Sequence, residues 1–182
     1  MSTKKRWLIP SALVLTNFLC MSSASAQDPT CPYTQASIQG NWGLVGTYGA
    51  NVAKALGQRS VDATGVMKGF FVLNAPTTGS TTGERTLSTG TQAGTYIINC
   101  DGSGVINRTT TSSLGIVVVT VDNFVVTKAI VQDGQLIATE LEDAQQIPSG
   151  LIAGGLFLTR VHTRLPDTPP ALPSNARSTK TK

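Results

Sequence analysis

The chain has 182 residues, 14 Lys and Arg against 10 Asp and Glu, and three cysteines. This length suits one domain with a proper core. The basic excess is confined to the ends: residues 27–164 hold 8 basic and 9 acidic side chains, which excludes the clustered cations of a nucleic-acid binder.

Lys4, Lys5 and Arg6 precede an apolar stretch over residues 7–21, and Ala24-Ser25-Ala26 follows before Gln27. A positive end, a short apolar core and a small-x-small site predict a cleavable secretory signal over residues 1–26. The stretch is broken by Pro10, Thr16 and Asn17 and falls short of the roughly 20 apolar residues a membrane span needs, so no span is expected. The protein is expected to be exported, to the periplasm or beyond.

Cleavage removes Cys20 and leaves Cys31 and Cys100. An even pair in an oxidising compartment predicts a disulfide. It would close a loop of 69 residues, too wide a spacing for a redox-active C-x-x-C pair.

Residues 27–164 are rich in Gly, Thr and Val and lack apolar residues at helical spacing. Short β-branched runs between turn signals predict antiparallel strands. They fall at 41–48, 66–73, 94–99, 105–111, 116–121, 124–131, 136–142 and 151–164, with Asp122-Asn123 read as a break and Asp133-Gly134 as a tight hairpin turn. Residues 51–56 fit a loop, a helical turn or a ragged strand equally. The runs at 116–121 and 124–131 are apolar at both parities, the pattern of doubly covered strands. The fold class is all-β, a single antiparallel up-and-down barrel of about eight strands, with a β-sandwich as the alternative. Residues 165–182 form a Pro-rich and then basic tail.

Gly46-Thr47-Tyr48, Asp62-Ala63-Thr64-Gly65 and the run from Gly94-Thr95-Tyr96 through Cys100-Asp101-Gly102-Ser103-Gly104 carry a family likeness. With the closing strand, they resemble a group of small secreted bacterial proteins of unknown function. The chain departs from that pattern in placing Cys100 before Asp101. The resemblance implies a lipocalin-like barrel, of the calycin or allene oxide cyclase type, and carries over no catalytic residue.

His162 is the sole histidine and there is no G-x-S-x-G elbow, so a serine-hydrolase triad has no basis. No spacing matches a zinc or EF-hand site, and Asp101-Gly102-Ser103-Gly104 reads as a turn. Glu140 and Glu142 share a strand face and read as a solvated rim. No cofactor or metal is expected.

In the last strand Leu156, Leu158, Arg160, His162 and Arg164 share one face. With Glu142 set opposite Leu151, Arg160 comes near Asp133. The favoured reading is an outward face with Arg160 paired to Asp133; the functional alternative makes Arg160, His162 and Arg164 a mouth for an anionic group. Trp42, Tyr48, Phe70, Tyr96 and Phe124 are read first as core aromatics and alternatively as the lining of a lumen. The leading expectation is a non-enzymatic barrel that binds a small apolar ligand. The alternatives are an isomerase or cyclase-type barrel enzyme and a surface or matrix interaction protein tethered by residues 177–182.

Overall fold

The structure, a computed structural model, describes residues 31–49, 52–150, 152 and 155–167. The expected signal over residues 1–26 and the tail beyond Asp167 lie outside the described residues. Eight strands pair in sequence order: β1 (Gly40–Tyr48), β2 (Ala53–Val61), β3 (Val66–Pro76), β4 (Arg85–Ile98), β5 (Ser103–Ser112), β6 (Val117–Gln132), β7 (Gln135–Gln145) and β8 (Leu158–Arg164). Every neighbouring pair is antiparallel, and β8 pairs with β1 to close an up-and-down barrel. The sandwich alternative is excluded by that closure.

The expected count of eight strands is met by a different set of segments. Of the undecided residues 51–56, residues 53–56 open β2, whose sequence, Ala-Lys-Ala-Leu-Gly-Gln-Arg-Ser-Val, has one β-branched residue and little strand propensity. It forms a strand because Ala53, Ala55, Gly57, Arg59 and Val61 alternate inward between two well-paired neighbours. Conversely, the runs at 116–121 and 124–131 are one strand, β6. Asp122 is no turn residue; it points inward and is buried.

The expectation of doubly covered strands is also corrected. The barrel is a single closed sheet, so the outer parity of β6 faces out, and Val117, Val119 and Val125 are exposed. Asp133 and Gly134, both at positive φ, make the expected two-residue hairpin between β6 and β7.

Two turns at one end share their chemistry. The Asp62 carboxylate accepts hydrogen bonds from the backbone of Thr64 and Val66, and Asp101 accepts from the backbone and hydroxyl of Ser103. At this end the 3-10 turn Gln35–Ile38 covers the barrel. The Cys31–Cys100 disulfide ties the segment before that turn to the β4–β5 connection. Arg164 holds the cover from within, donating to the carbonyls of Ser37, Gln39 and Ala138, with its guanidinium 4.8 Å from the Trp42 ring.

Two apolar clusters fill the barrel ends. Ile38, Trp42, Val61, Met67, Ile106, Phe124 and Leu141 pack beneath the 3-10 turn. Tyr48, Ala53, Phe71, Leu73 and Leu158 pack near the opposite mouth, against Ile152 and Leu156. A polar layer separates them.

Candidate functional site

The middle layer is made of charged and polar side chains with almost no exposure to solvent. Arg59 comes from β2, Gln92 and Tyr96 from β4, Arg108 from β5, Asp122 from β6, Asp143 from β7, and Arg160 and His162 from β8. Their inward aim follows from strand parity. Arg59 alternates with Gly57 and Val61, Arg108 with Ile106, and Asp122 with Phe124. On β7, register shifts around Lys128 allow Ala138 and Leu141 both to face inward, and Asp143 then shares the parity of Leu141.

Space for the three arginines comes from glycine. Arg59 lies directly across from Gly69, Arg108 from Gly94, and Arg160 from Gly46. A Cβ on Gly46 would stand 2.9 Å from the Arg160 Cγ, and one on Gly69 would stand 2.9 Å from the Arg59 Cγ. The stems of Arg160 and Arg59 thus occupy volume that a larger residue opposite would fill, while a Cβ on Gly94 would meet the backbone of Asn107 and Arg108.

The hydrogen bonds form one connected set. Arg160 donates from Nε to both oxygens of Asp143, at 2.9 and 2.8 Å, and from Nη2 to Asp122. Arg108 donates from Nε to Asp122 at 3.0 Å and from Nη1 to Thr110 at 2.6 Å. Arg59 donates from Nε to Gln92 at 2.8 Å and from Nη1 to the Tyr96 hydroxyl at 2.7 Å, while its nearest carboxylate, Asp143, is 4.0 Å away. The Tyr96 hydroxyl meets His162 Nδ1 at 3.2 Å, and His162 Nε2 meets Asp143 at 2.7 Å. A neutral imidazole protonated at Nε2 satisfies both contacts, donating to Asp143 and accepting from Tyr96.

The protonation states agree with that assignment. Burial pulls His162 down to about 4, against the opposing pull of Asp143. Burial works against the Asp143 carboxylate, but Arg160, the His162 hydrogen bond and Arg59 outweigh it and hold the group well below the usual carboxylate range. Burial raises Tyr96, and burial together with repulsion from Arg160 lowers Arg108 to about 10.

At neutral pH three guanidinium groups therefore face two carboxylates, and one positive charge is uncompensated. Arg59 Nη2 and Arg160 Nη1, both buried, have no hydrogen-bond partner, nor does the Thr120 hydroxyl. Arg59, Arg108, Arg160 and Gln92 line a lumenal cavity of about 20 Å³, whose remaining wall is apolar and includes Leu44, Tyr48, Phe71 and Leu158. A larger concavity, about 530 Å³, lies on the outer side of β2 and β3 against Leu165 and Pro166.

The sequence-predicted residues distribute as follows. Trp42, Tyr48, Tyr96 and Phe124 are lumenal and buried; Phe70 is half-exposed and lines the outer concavity, its lumenal place taken by Phe71. Arg160 and His162 face inward, contrary to the favoured outward reading. The β7–β8 register sets Asp143 opposite Arg160 instead of Glu142 opposite Leu151, a slip that replaces Asp133 with Asp122 and Asp143 as the partners of Arg160. Arg164 belongs to the covered end, apart from the other two. Glu140 lies at the surface beside Lys128, and Glu142 is exposed.

Arg59, Gln92, Arg108, Asp122 and Asp143 were missed by sequence reasoning. The signal available for them was parity: each shares the phase of buried residues on its strand. Among the described residues, no group of His, Cys, Asp and Glu is placed to hold a metal ion, and no helix is long and apolar enough to cross a membrane.

Compared with known proteins, the chain matches no family model, no curated protein and no solved structure.

Proposed function

We propose that this is an exported binding protein whose lumen takes a small, mostly apolar molecule by an anionic group, without chemistry on it. The observation that carries this reading is the arginine-lined cavity, with two unpartnered guanidinium nitrogens and an apolar wall on its other side. Energetics support it. A lumen that only needed filling is as stable, or more stable, with well-packed apolar side chains in place of buried ions. A carboxylate is the natural complement of a guanidinium with free N–H groups. The cavity takes the anionic head, and an apolar tail lies toward Tyr48, Phe71 and Leu158, which shift to admit it. Export agrees with the disulfide and with the leader-like opening of the sequence.

The test pairs carboxylates with the alcohols of the same carbon skeleton, over medium-chain and aromatic examples, in calorimetric titrations. Saturable binding of a carboxylate, absent for its alcohol and weakened at least about tenfold by Arg59→Gln, supports the reading. Equal binding of acid and alcohol, or no saturable binding across the panel, overturns it.

A second reading, an isomerase or cyclase-type barrel enzyme, draws on the Arg59–Tyr96–His162–Asp143 chain. A hydroxyl held between a guanidinium and an imidazole is arranged to pass a proton to a bound molecule. Tyr96→Phe separates the two readings: it leaves carboxylate affinity nearly unchanged in a binding protein and abolishes turnover of any bound molecule in an enzyme.

A further inference from the structure

We propose that the lumenal cavity holds a single halide ion, chloride in its ordinary surroundings, as the counter-ion of the arginine layer. The proposal rests on the charge excess that also supports the ligand reading, but it needs no organic ligand and concerns the barrel at rest.

Among the inward-facing side chains of the described layer, Arg59, Arg108 and Arg160 oppose Asp122 and Asp143 alone, since His162 is neutral. The compensation is unequal. Asp122 is shared by Arg108 and Arg160, and Asp143 is engaged by Arg160 and His162. Arg59 is left with Asp143 at 4.0 Å, and its other contacts, Gln92 and Tyr96, are neutral. An uncompensated guanidinium in a low-dielectric interior is costly.

Three features point to a monatomic anion as the occupant. The cavity is small, about 20 Å³ against the roughly 10–15 Å³ that one water-sized particle needs, so a monatomic ion fits it without movement of the walls. All three arginines and Gln92 line it, and two of those arginines carry a free N–H group. The rest of the lining, from Leu44, Tyr48, Phe71 and Leu158 among others, is mostly apolar, which suits a weakly hydrated ion better than water. A water molecule fills the space but leaves the charge.

Two measurements test this on the disulfide-bonded protein. First, crystals soaked in bromide are measured at the bromine absorption edge. An anomalous peak in the cavity, within hydrogen-bond reach of Arg59 and Arg160, is expected; density there without an anomalous signal identifies water and overturns the proposal. Second, thermal unfolding is followed in sodium chloride and in sodium gluconate at equal ionic strength, so that general screening is the same in both. A melting temperature at least about 3 °C higher in chloride is expected, with the difference lost in Arg59→Gln. Equal melting temperatures in the two salts overturn the proposal. If bromide binds and no carboxylate does, the halide site stands and the organic-ligand reading falls. If a carboxylate binds and bromide never does, the outcome is reversed.

Discussion

At the scale of single residues, the lumen is a set of charges that hold one another in place. Asp122 is the shared carboxylate of Arg108 and Arg160, so Asp122→Asn leaves two buried guanidinium groups underpaired. A loss of about 3–5 kcal/mol in urea unfolding is expected, against a change within about 0.5 kcal/mol for the exposed Glu142→Gln. His162 gives the protein a pH dependence of definite sign. Its folded value, about 4, lies below its ordinary 6.5, so the unfolded chain binds the proton first. Stability is therefore full above about pH 6.5 and falls by about 3 kcal/mol as the pH drops toward 4. Asp143, depressed in the fold, adds a further loss as the pH falls below its ordinary 3.8. His162→Gln keeps a donor for Asp143 and is expected to flatten the decline between pH 6.5 and 4, while the steeper acid limb remains. An unchanged slope in that window would show that His162 is not buried in its neutral form.

At the scale of elements, the strands fit because large and small side chains alternate across the lumen. Gly46 opposes Arg160, and a Cβ there would meet Leu158 at 2.8 Å as well as the arginine stem. Gly46→Ala is expected to cost about 1–3 kcal/mol and to weaken carboxylate binding, because Arg160 must move. A variant of wild-type stability and affinity would count against that packing. The covered end depends on Arg164 and the disulfide. Arg164→Gln removes hydrogen bonds to three carbonyls and the cation over Trp42, so the Trp42 emission is expected to shift to the red without loss of the β-sheet signal. Reducing the Cys31–Cys100 bridge is expected to cost up to roughly 4 kcal/mol in the chain-entropy account of its 69-residue separation, read as the difference between oxidised and reduced unfolding curves.

At the scale of the whole molecule, closure is the feature from which the site follows. The β1–β8 seam joins residues more than a hundred positions apart, and it brings Arg160 and His162 into the same layer as Arg59 and Arg108. An all-β barrel closed by such a distant pairing is expected to fold in milliseconds to seconds, slowly enough for stopped-flow detection through Trp42, which lies on that seam opposite Arg164.

Alternation and turn chemistry are local properties, and they were enough to specify the all-β class, the hairpin at Asp133-Gly134 and a barrel of consecutive hairpins. The disulfide followed from counting the cysteines that cleavage of the expected leader would leave. The strand inventory was less legible. β2 is built from Ala, Gly and Gln, whose strand state is imposed by the neighbours on either side, and β6 carries in mid-strand an Asp that looks like a turn until its guanidinium partners are in view. The charged layer was legible only in part: parity put Arg160 and His162 on one face but did not tell which face is inside, and a misplaced β7–β8 register exchanged the partners of Arg160. Sequence alone determined that the chain makes hairpins. Only closure of the sheet, by turning one parity of eight strands into a dry interior, decided that Arg59, Arg108, Arg160, Asp122, Asp143 and His162 meet there.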